Sequence, residues 1–237
     1  DWAPSNGYYS ILDNLGTMEN KGFEIMAGGY PVKSRDFSWE ISFLFNKNKN
    51  KVTSLYQNTP YVAFGGSNQG AVVGYPVGVF YGSFYARNTD GTLLLNPVKG
   101  KDPQNIFPLP QVERGDPVKN DPIRVNGQPD GTPINKVLGD PNPDYTAHLI
   151  NEFKYKKLKL RIQVDRVAGL EMFNFTRIIR NNIGNGKMAE KEIKGELTRG
   201  WVAAVGGFVN GPVIWEEAVE DASFTKIREL SLSYQLN

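Results

Sequence analysis

Residues 37–46 read FSWEISFLFN, and their alternation decides the fold. Phe37, Trp39, Ile41, Phe43 and Phe45 fall on one face and Ser38, Glu40, Ser42 and Asn46 on the other, with Leu44 alone breaking the pattern. Side chains that alternate with period two specify a β-strand. An aromatic face opposite a polar one suits two architectures: a half-buried strand of a soluble sandwich, or a wall strand of a membrane barrel with lipid outside and water inside.

Composition leaves both open. With 237 residues, 40% of them hydrophobic, and a mean hydropathy of −0.41, the averages resemble those of soluble proteins, but barrels alternate apolar with polar residues and give similar averages. No stretch approaches the ~18 apolar residues of a spanning helix, which excludes a helical membrane protein. The net charge of +2 argues against a dedicated nucleic-acid surface. The absence of cysteine removes disulfides, thiolate metal sites and cysteine nucleophiles. The sequence starts at Asp1 with neither an initiator methionine nor a signal sequence, so it is expected to be a piece of something longer.

Outward from the central strand, FEIMAGGY after Gly22 and a turn over residues 31–36 make a hairpin with it, and the polar run NKNKNK is expected to end that hairpin. Residues 8–12 are a candidate short strand. Residues 47–144 repeat Gly and Pro throughout and read as one long irregular excursion, the mark of a functional surface loop. Within it, the apolar residues 71–84 read as an anchored strand or plugging segment. Residues 145–155 and 158–164 alternate on either side of a tight turn at Lys156 and Lys157, residues 168–223 form a second long loop, and FTKIRELSLSYQLN closes the chain.

Connection lengths then favour the membrane. Short turns at 31–36 and 156–157 share one rim, and long loops at 47–144 and 168–223 share the other, as in outer-membrane barrels. Ten residues at ~3.4 Å rise, tilted by about 45°, project to roughly 24 Å, close to the ~25 Å apolar band of such barrels. Five strands do not close a barrel, since bacterial single-chain barrels need an even number of eight or more and open edges are forbidden in lipid.

Five collinear blocks carry a family resemblance: NLGTMENKGFEI (14–25), FSWEISFLFNKNKNKV (37–52), VGYPVGVFYG (73–82) with TDG (89–91), GDPNPDYT (139–146) and ASFTKIRELSLSYQL (222–236). Together they resemble the SusC/RagA group of TonB-dependent outer-membrane transporters of Bacteroidetes. The resemblance implies an all-β fold in which residues 1–237 are a late part of an antiparallel barrel of about 22 strands, without its plug domain. It further implies location in the outer membrane and import of oligosaccharides or peptides. The implied partners are a SusD-like surface lipoprotein, the TonB complex acting through the missing N-terminal part, and membrane lipid. A soluble or surface-attached β-sandwich that binds glycans is the rival.

No enzyme, cofactor or nucleic-acid partner is expected. Family members often carry an acidic loop before the GDPNPD-type block; here Asp116, Asp121, Asn126 and Asp130 could offer calcium ligands, but prolines and irregular spacing favour a stiff surface loop. His148, the sole histidine, lies mid-strand with no nucleophile elbow and reads as a barrel-wall residue. Glu216, Glu217, Glu220 and Asp221 contain the makings of a glycosidase carboxylate pair but read as solvated loop acids. Lys154, Lys156, Lys157, Lys159 and Arg161 interleave with apolar residues at strand period, as at a membrane rim. The sequon NFT at 174–176 reads as chance, and GGSNQG and GGFVNG as glycine turns. Tyr75, Phe80, Tyr81, Tyr85, Trp201 and Trp215 are the ligand-binding candidates, because loop aromatics either pack a loop or stack on a sugar.

Overall fold

A computed structural model describes residues 14–64, 68–85, 90, 95–97, 108–110, 116–117, 125–126, 135–197, 202 and 214–236. In chain order the strands are β1 (Gly16–Lys33), β2 (Phe37–Leu55), β3 (Tyr61–Ala63), β4 (Gln69–Val72), β5 (Val79–Gly82), β6 (Leu95–Pro97), β7 (Pro108–Pro110), β8 (Asp116–Pro117), β9 (Val125–Asn126), β10 (Lys136–Gly139), β11 (Tyr145–Tyr155), β12 (Leu158–Ala168), β13 (Glu171–Phe173), β14 (Val219–Asp221) and β15 (Phe224–Tyr234). Two helices, α1 (Phe175–Asn182) and α2 (Lys187–Ile193), lie between β13 and β14.

The five long strands form one sheet in the order β1-β2-β11-β12-β15, antiparallel throughout. Register sets its faces, because directly opposed residues point the same way. Phe45 lies opposite Ile25 and Ala147, Phe43 opposite Ala27 and Leu149, and Trp39 opposite Val32 and Phe153. Leu160 continues the row from Phe153, and Leu232 from Leu160. One apolar surface therefore crosses all five strands.

Aromatic rings border it above and below. Phe45 stacks with Phe23 at 5.7 Å and with Tyr145 at 5.4 Å at one end, and Trp39 stacks with Phe153 at 5.8 Å near the other, where Phe37 and Tyr155 pair. From Phe37 to Phe45 the strand rises ~27 Å, or roughly 19–22 Å along the normal at barrel tilt, which matches a bilayer band between aromatic girdles.

This face separates the two candidate architectures. A sandwich would bury it, yet Phe43 is 38% exposed, Leu149 36%, Leu230 68% and Leu232 66%. Among the described residues no second sheet covers it, and β1 and β15 are each paired along one side only. The sheet is an incomplete antiparallel barrel wall. Among the described residues no helix is long and apolar enough to cross a membrane.

The two short turns share a rim, where the Lys156 backbone N–H donates to the Asp36 carbonyl at 2.8 Å. Both strands of the first hairpin are longer than their sequence suggests. NKNKNK does not end β2, which runs to Leu55 against a β1 that begins at Gly16. Alternating Asn and Lys keep the strand period, and a polar ribbon above the membrane needs no apolar face. Pro31 does not start the turn either; it sits where the register shifts between Gly29 and Val32, and the turn contracts to residues 34–36. Proline lacks the N–H that a ladder uses, so a bulge is where a strand tolerates it. The candidate strand at 8–12 lies outside the described residues.

The first excursion is more ordered than its glycines and prolines imply. It holds a four-stranded sheet, β10-β5-β4-β3, and the short ladders β6-β7 and β8-β9. Buried Val52, Leu55 and Ala71, with Val62 and Val77 against them, seat this sheet on the top of the β1-β2 ribbon. There the Val52 N–H donates to the Tyr75 carbonyl at 2.8 Å and the Gly74 N–H to the Val52 carbonyl at 2.9 Å. In the second excursion β13 pairs with β14 beside α1.

Candidate functional site

Two surfaces of this fold can meet a solute: the inner face of the wall and the cluster above its long-loop rim. On the inner face the polar positions join into a ladder. Asp165 of β12 is 1% exposed because three partners cover it. His148 Nδ1 lies 2.8 Å from Asp165 Oδ1, Gln163 Nε2 donates to the same oxygen at 3.0 Å, and Arg228 Nε donates to Oδ2. Arg228 reaches it because the β12-β15 register shifts between Gln163 and Val164. Below this, Arg161 bridges Glu229 at 3.0 Å and Glu152 at 3.5 Å, and Lys159 meets Glu152 at 2.7 Å. Charges so close in a wall are tolerable only when paired and facing water. Leu44 joins this face, opposite Met26 and His148, so the exception to the alternation points inward.

Two polar side chains of the central strands interrupt the outer face: Arg166, opposite Ala147 at the level of Phe45, donates to the Thr225 hydroxyl at 3.1 Å, and Asn151 lies opposite Ile41 and Ile162. The Trp39 indole N–H donates to its side-chain oxygen at 3.1 Å, which satisfies an acceptor that lipid cannot. Nothing in the local sequence marks this pair, since 112 residues separate its members.

Above the long-loop rim an aromatic group packs between β5, β13 and the 3₁₀ turn Trp215–Ala218. Phe173 lies 5.7 Å from Phe80 and 5.6 Å from Trp215, and Phe175 caps Trp215 at 6.5 Å. Gly82 permits the approach, because a Cβ there would sit 2.8 Å from the Trp215 ring. Asn174 caps α1 by accepting from the Arg177 N–H at 3.0 Å, so the sequon asparagine is a helix start. Arg177 then reaches Glu217 at 3.1 Å and Glu220 at 3.0 Å. The Asn174 amide first, and Arg177 second, hold Glu220 below the ordinary glutamate range. Burial pushes the Tyr85 phenol well above the ordinary tyrosine range, and the carboxylates of Glu217 and Glu216 add to the shift. Tyr85, Arg177, Glu216 and Glu217 border a polar cleft of about 400 Å³.

The acids with glycosidase potential are thus engaged in structure. Glu217 and Glu220 bind Arg177, Glu216 accepts from the Tyr85 N–H at 2.7 Å, and Asp221 accepts from the Ser223 N–H at 2.8 Å. Of the aromatic candidates, Phe80 and Tyr85 are buried at 5% and 3% exposure, Tyr81 stacks on Tyr61 at 4.1 Å, and Trp215 is half-buried. Tyr75 is 47% exposed. Trp201, Asp121 and Asp130 lie outside the described residues, while Asp116 and Asn126 face each other across the β8-β9 ladder. Asp165 falls on the polar face by the strand period alone, but its partners, and Arg177 and Arg228 themselves, escape a reading of the sequence. An Asn before an apolar 3–4 spacing was the available signal for α1 and hence Arg177, whereas the bulge that aims Arg228 leaves no local mark.

No family model matches the chain. It is 25% identical over 247 residues to TonB-dependent receptor P3 of Formosa agariphila, covering 98% of this chain and 23% of that protein. TonB-dependent receptor P26 of the same organism is 25% identical over 244 residues, with 97% and 23% covered. TonB-dependent receptor SusC of Bacteroides thetaiotaomicron is 22% identical, with 94% and 21% covered. Among solved structures, the RagAB peptide importer in its open-open state superposes with a TM-score of 0.64 at 21% identity, covering 98% of this chain and 24% of that one. The RagAB peptide transporter superposes at 0.58 with 22% identity, with 98% and 24% covered. In sequence and in fold the chain is a relative of the TonB-dependent receptors of the SusC/RagA kind, and it spans about a quarter of their length.

Proposed function

We propose that the chain is a late stretch of barrel wall in an outer-membrane TonB-dependent active transporter and is not itself an enzyme. The observation that carries this reading is the division of one five-stranded sheet into an apolar outer face and an ion-paired inner face, with both long connections above one rim. In this reading the wall supplies rigidity and a polar lumen, and the excursions form part of an extracellular vault. Cargo of the oligosaccharide or peptide class passes that vault, and a SusD-like lipoprotein closes over it. TonB energy enters through a plug elsewhere in the receptor.

Exposed Tyr75 and half-buried Tyr81 and Trp215 are the proposed contacts, and buried Phe80 and Tyr85 are proposed to support them from within the excursion; aromatic rings open to solvent suit stacking on a sugar ring or a peptide side chain. Trp201 belongs to the same proposal from sequence alone. Calcium at Asp116, Asp121, Asn126 and Asp130 remains the weaker proposal.

Topology labelling of the full-length receptor in intact cells tests the reading. Cysteines placed at Thr59 and Asn185 should react with a membrane-impermeant maleimide from outside. Cysteines at Arg35 and Lys157 should react only after the outer membrane is opened. Equal labelling of both sets would refute it.

A further inference from the structure

The upper β1-β2 ribbon carries an arrangement of charge that neither the wall nor the excursions use. In NKNKNK, Lys47, Lys49 and Lys51 share the outer face with Phe43 and Phe45, while Asn46, Asn48 and Asn50 turn to the other side. The asparagines there are structural: Asn46 Nδ2 donates to Glu24 at 2.6 Å, and Asn50 accepts from the Val77 N–H at 2.6 Å. Across the ladder Lys49 stands directly opposite Lys21, and Lys51 opposite Glu19. Glu19 bonds Lys21 at 2.8 Å. Directly opposed like charges weaken a strand pair, and within this row Glu19 is the one carboxylate set against four lysines. Asp140 and Asp144 line the same cleft of about 680 Å³ as these lysines and offset part of their charge.

Position identifies the counter-ion. The row begins at Lys47, directly opposite Phe23 and one pleat above Phe45 on the same face, and continues upward at ~6.8 Å per lysine. A ligand held there would set anionic groups on the lysines and acyl chains on Ile25, Phe43 and Leu149 below. Resting on the reading of this chain as outer-membrane barrel wall, we infer that Lys21, Lys47, Lys49 and Lys51 dock the phosphates of an anionic glycolipid of the outer leaflet, of the lipid A kind. A soluble phosphate would lack any use for the apolar face; charge and apolar face together match an amphiphile.

The test uses full-length receptor in phosphatidylcholine nanodiscs doped with bis-phosphorylated lipid A or with its dephosphorylated form, and counts retained lipid by native mass spectrometry. Wild type should keep the bis-phosphorylated lipid, and K47Q/K49Q/K51Q should keep it about tenfold less or worse. K156Q/K157Q at the opposite rim should match wild type, and added inorganic phosphate should not displace the lipid. Equal retention by the triple variant, equal retention of the dephosphorylated lipid, or displacement by inorganic phosphate would each overturn the inference. Heat-modifiable gel migration of the same samples reports barrel formation. A folded variant with unchanged retention removes the lysine row alone, whereas a wild-type receptor that never forms a membrane barrel removes the parent reading with it.

Discussion

The wall and the excursions use the same kinds of residue in opposite ways. In the wall, Phe43, Leu149, Leu230 and Leu232 stay open on the outside while the ion pairs of Asp165, Glu152 and Glu229 gather inside. In the excursions the arrangement is that of a soluble domain: Val79, Phe80 and Ile214 are at most 5% exposed, and charged groups such as Lys194 and Glu196 lie at the surface. Each pattern is stable only in its own solvent. The difference teaches that burial alone misjudges the wall, whose apolar residues are satisfied by lipid.

Substitutions can break this comparison or sharpen it. Leu149→Arg puts a charge on the outer face near mid-strand and should cost about 2–4 kcal/mol, enough to suppress the heat-modifiable folded receptor. Its neighbour Ile150→Arg, on the inner face, should leave that band in place. Next, Trp215→Ala removes the half-buried ring between Phe173 and Phe175 and should cost about 2 kcal/mol, confined to the excursion. Limited proteolysis should then cut within residues 169–223 while the wall strands stay protected.

Arg177→Met should cost about 1 kcal/mol locally, a figure reduced because the Arg177 side chain is 34% exposed. The same site carries a pH dependence. Glu220 is held below the ordinary glutamate range, so its contribution is complete above that range and fades as pH falls through the lowered folded value. Acid should therefore loosen the α1-β14 contact, seen as faster proteolysis, and Arg177→Met should reduce that acid response without abolishing it, because the Asn174 amide still holds Glu220. The smallest effect belongs to Trp39→Phe, which leaves the Asn151 oxygen without its donor in lipid and should cost about 0.6 kcal/mol in reversible unfolding.

Much of the wall could be read from residues alone, because period two recurs over 37–46, 145–155, 158–164 and 230–236 and each run is long enough to fix its faces. Strand ends were harder. Lys and Asn look like terminators, but in NKNKNK they occupy alternate faces of a continuing strand, and the extension to Leu55 depends on pairing with residues 16–23. The small sheet of the first excursion was obscure for a different reason: its strands are three or four residues long and are held by Val52 and Leu55 of the ribbon. The aromatic candidates were found as residues, but sequence could not separate Phe80 and Tyr85, which are buried, from Tyr75, which is exposed. That distinction arises only when β5 meets β13 and the 3₁₀ turn.

The account stands on which solvent each face of the wall meets, and spin labels read this directly. Labels placed singly along residues 145–155 of the full-length receptor in bilayers should alternate. Odd positions such as 149 and 153 should be accessible to oxygen dissolved in lipid, and even positions such as 148 and 150 to a water-soluble nickel complex. Period-two exchange of the two accessibilities is the result predicted. Odd positions shielded from both reagents, as they would be beneath a second protein sheet, would contradict the barrel wall.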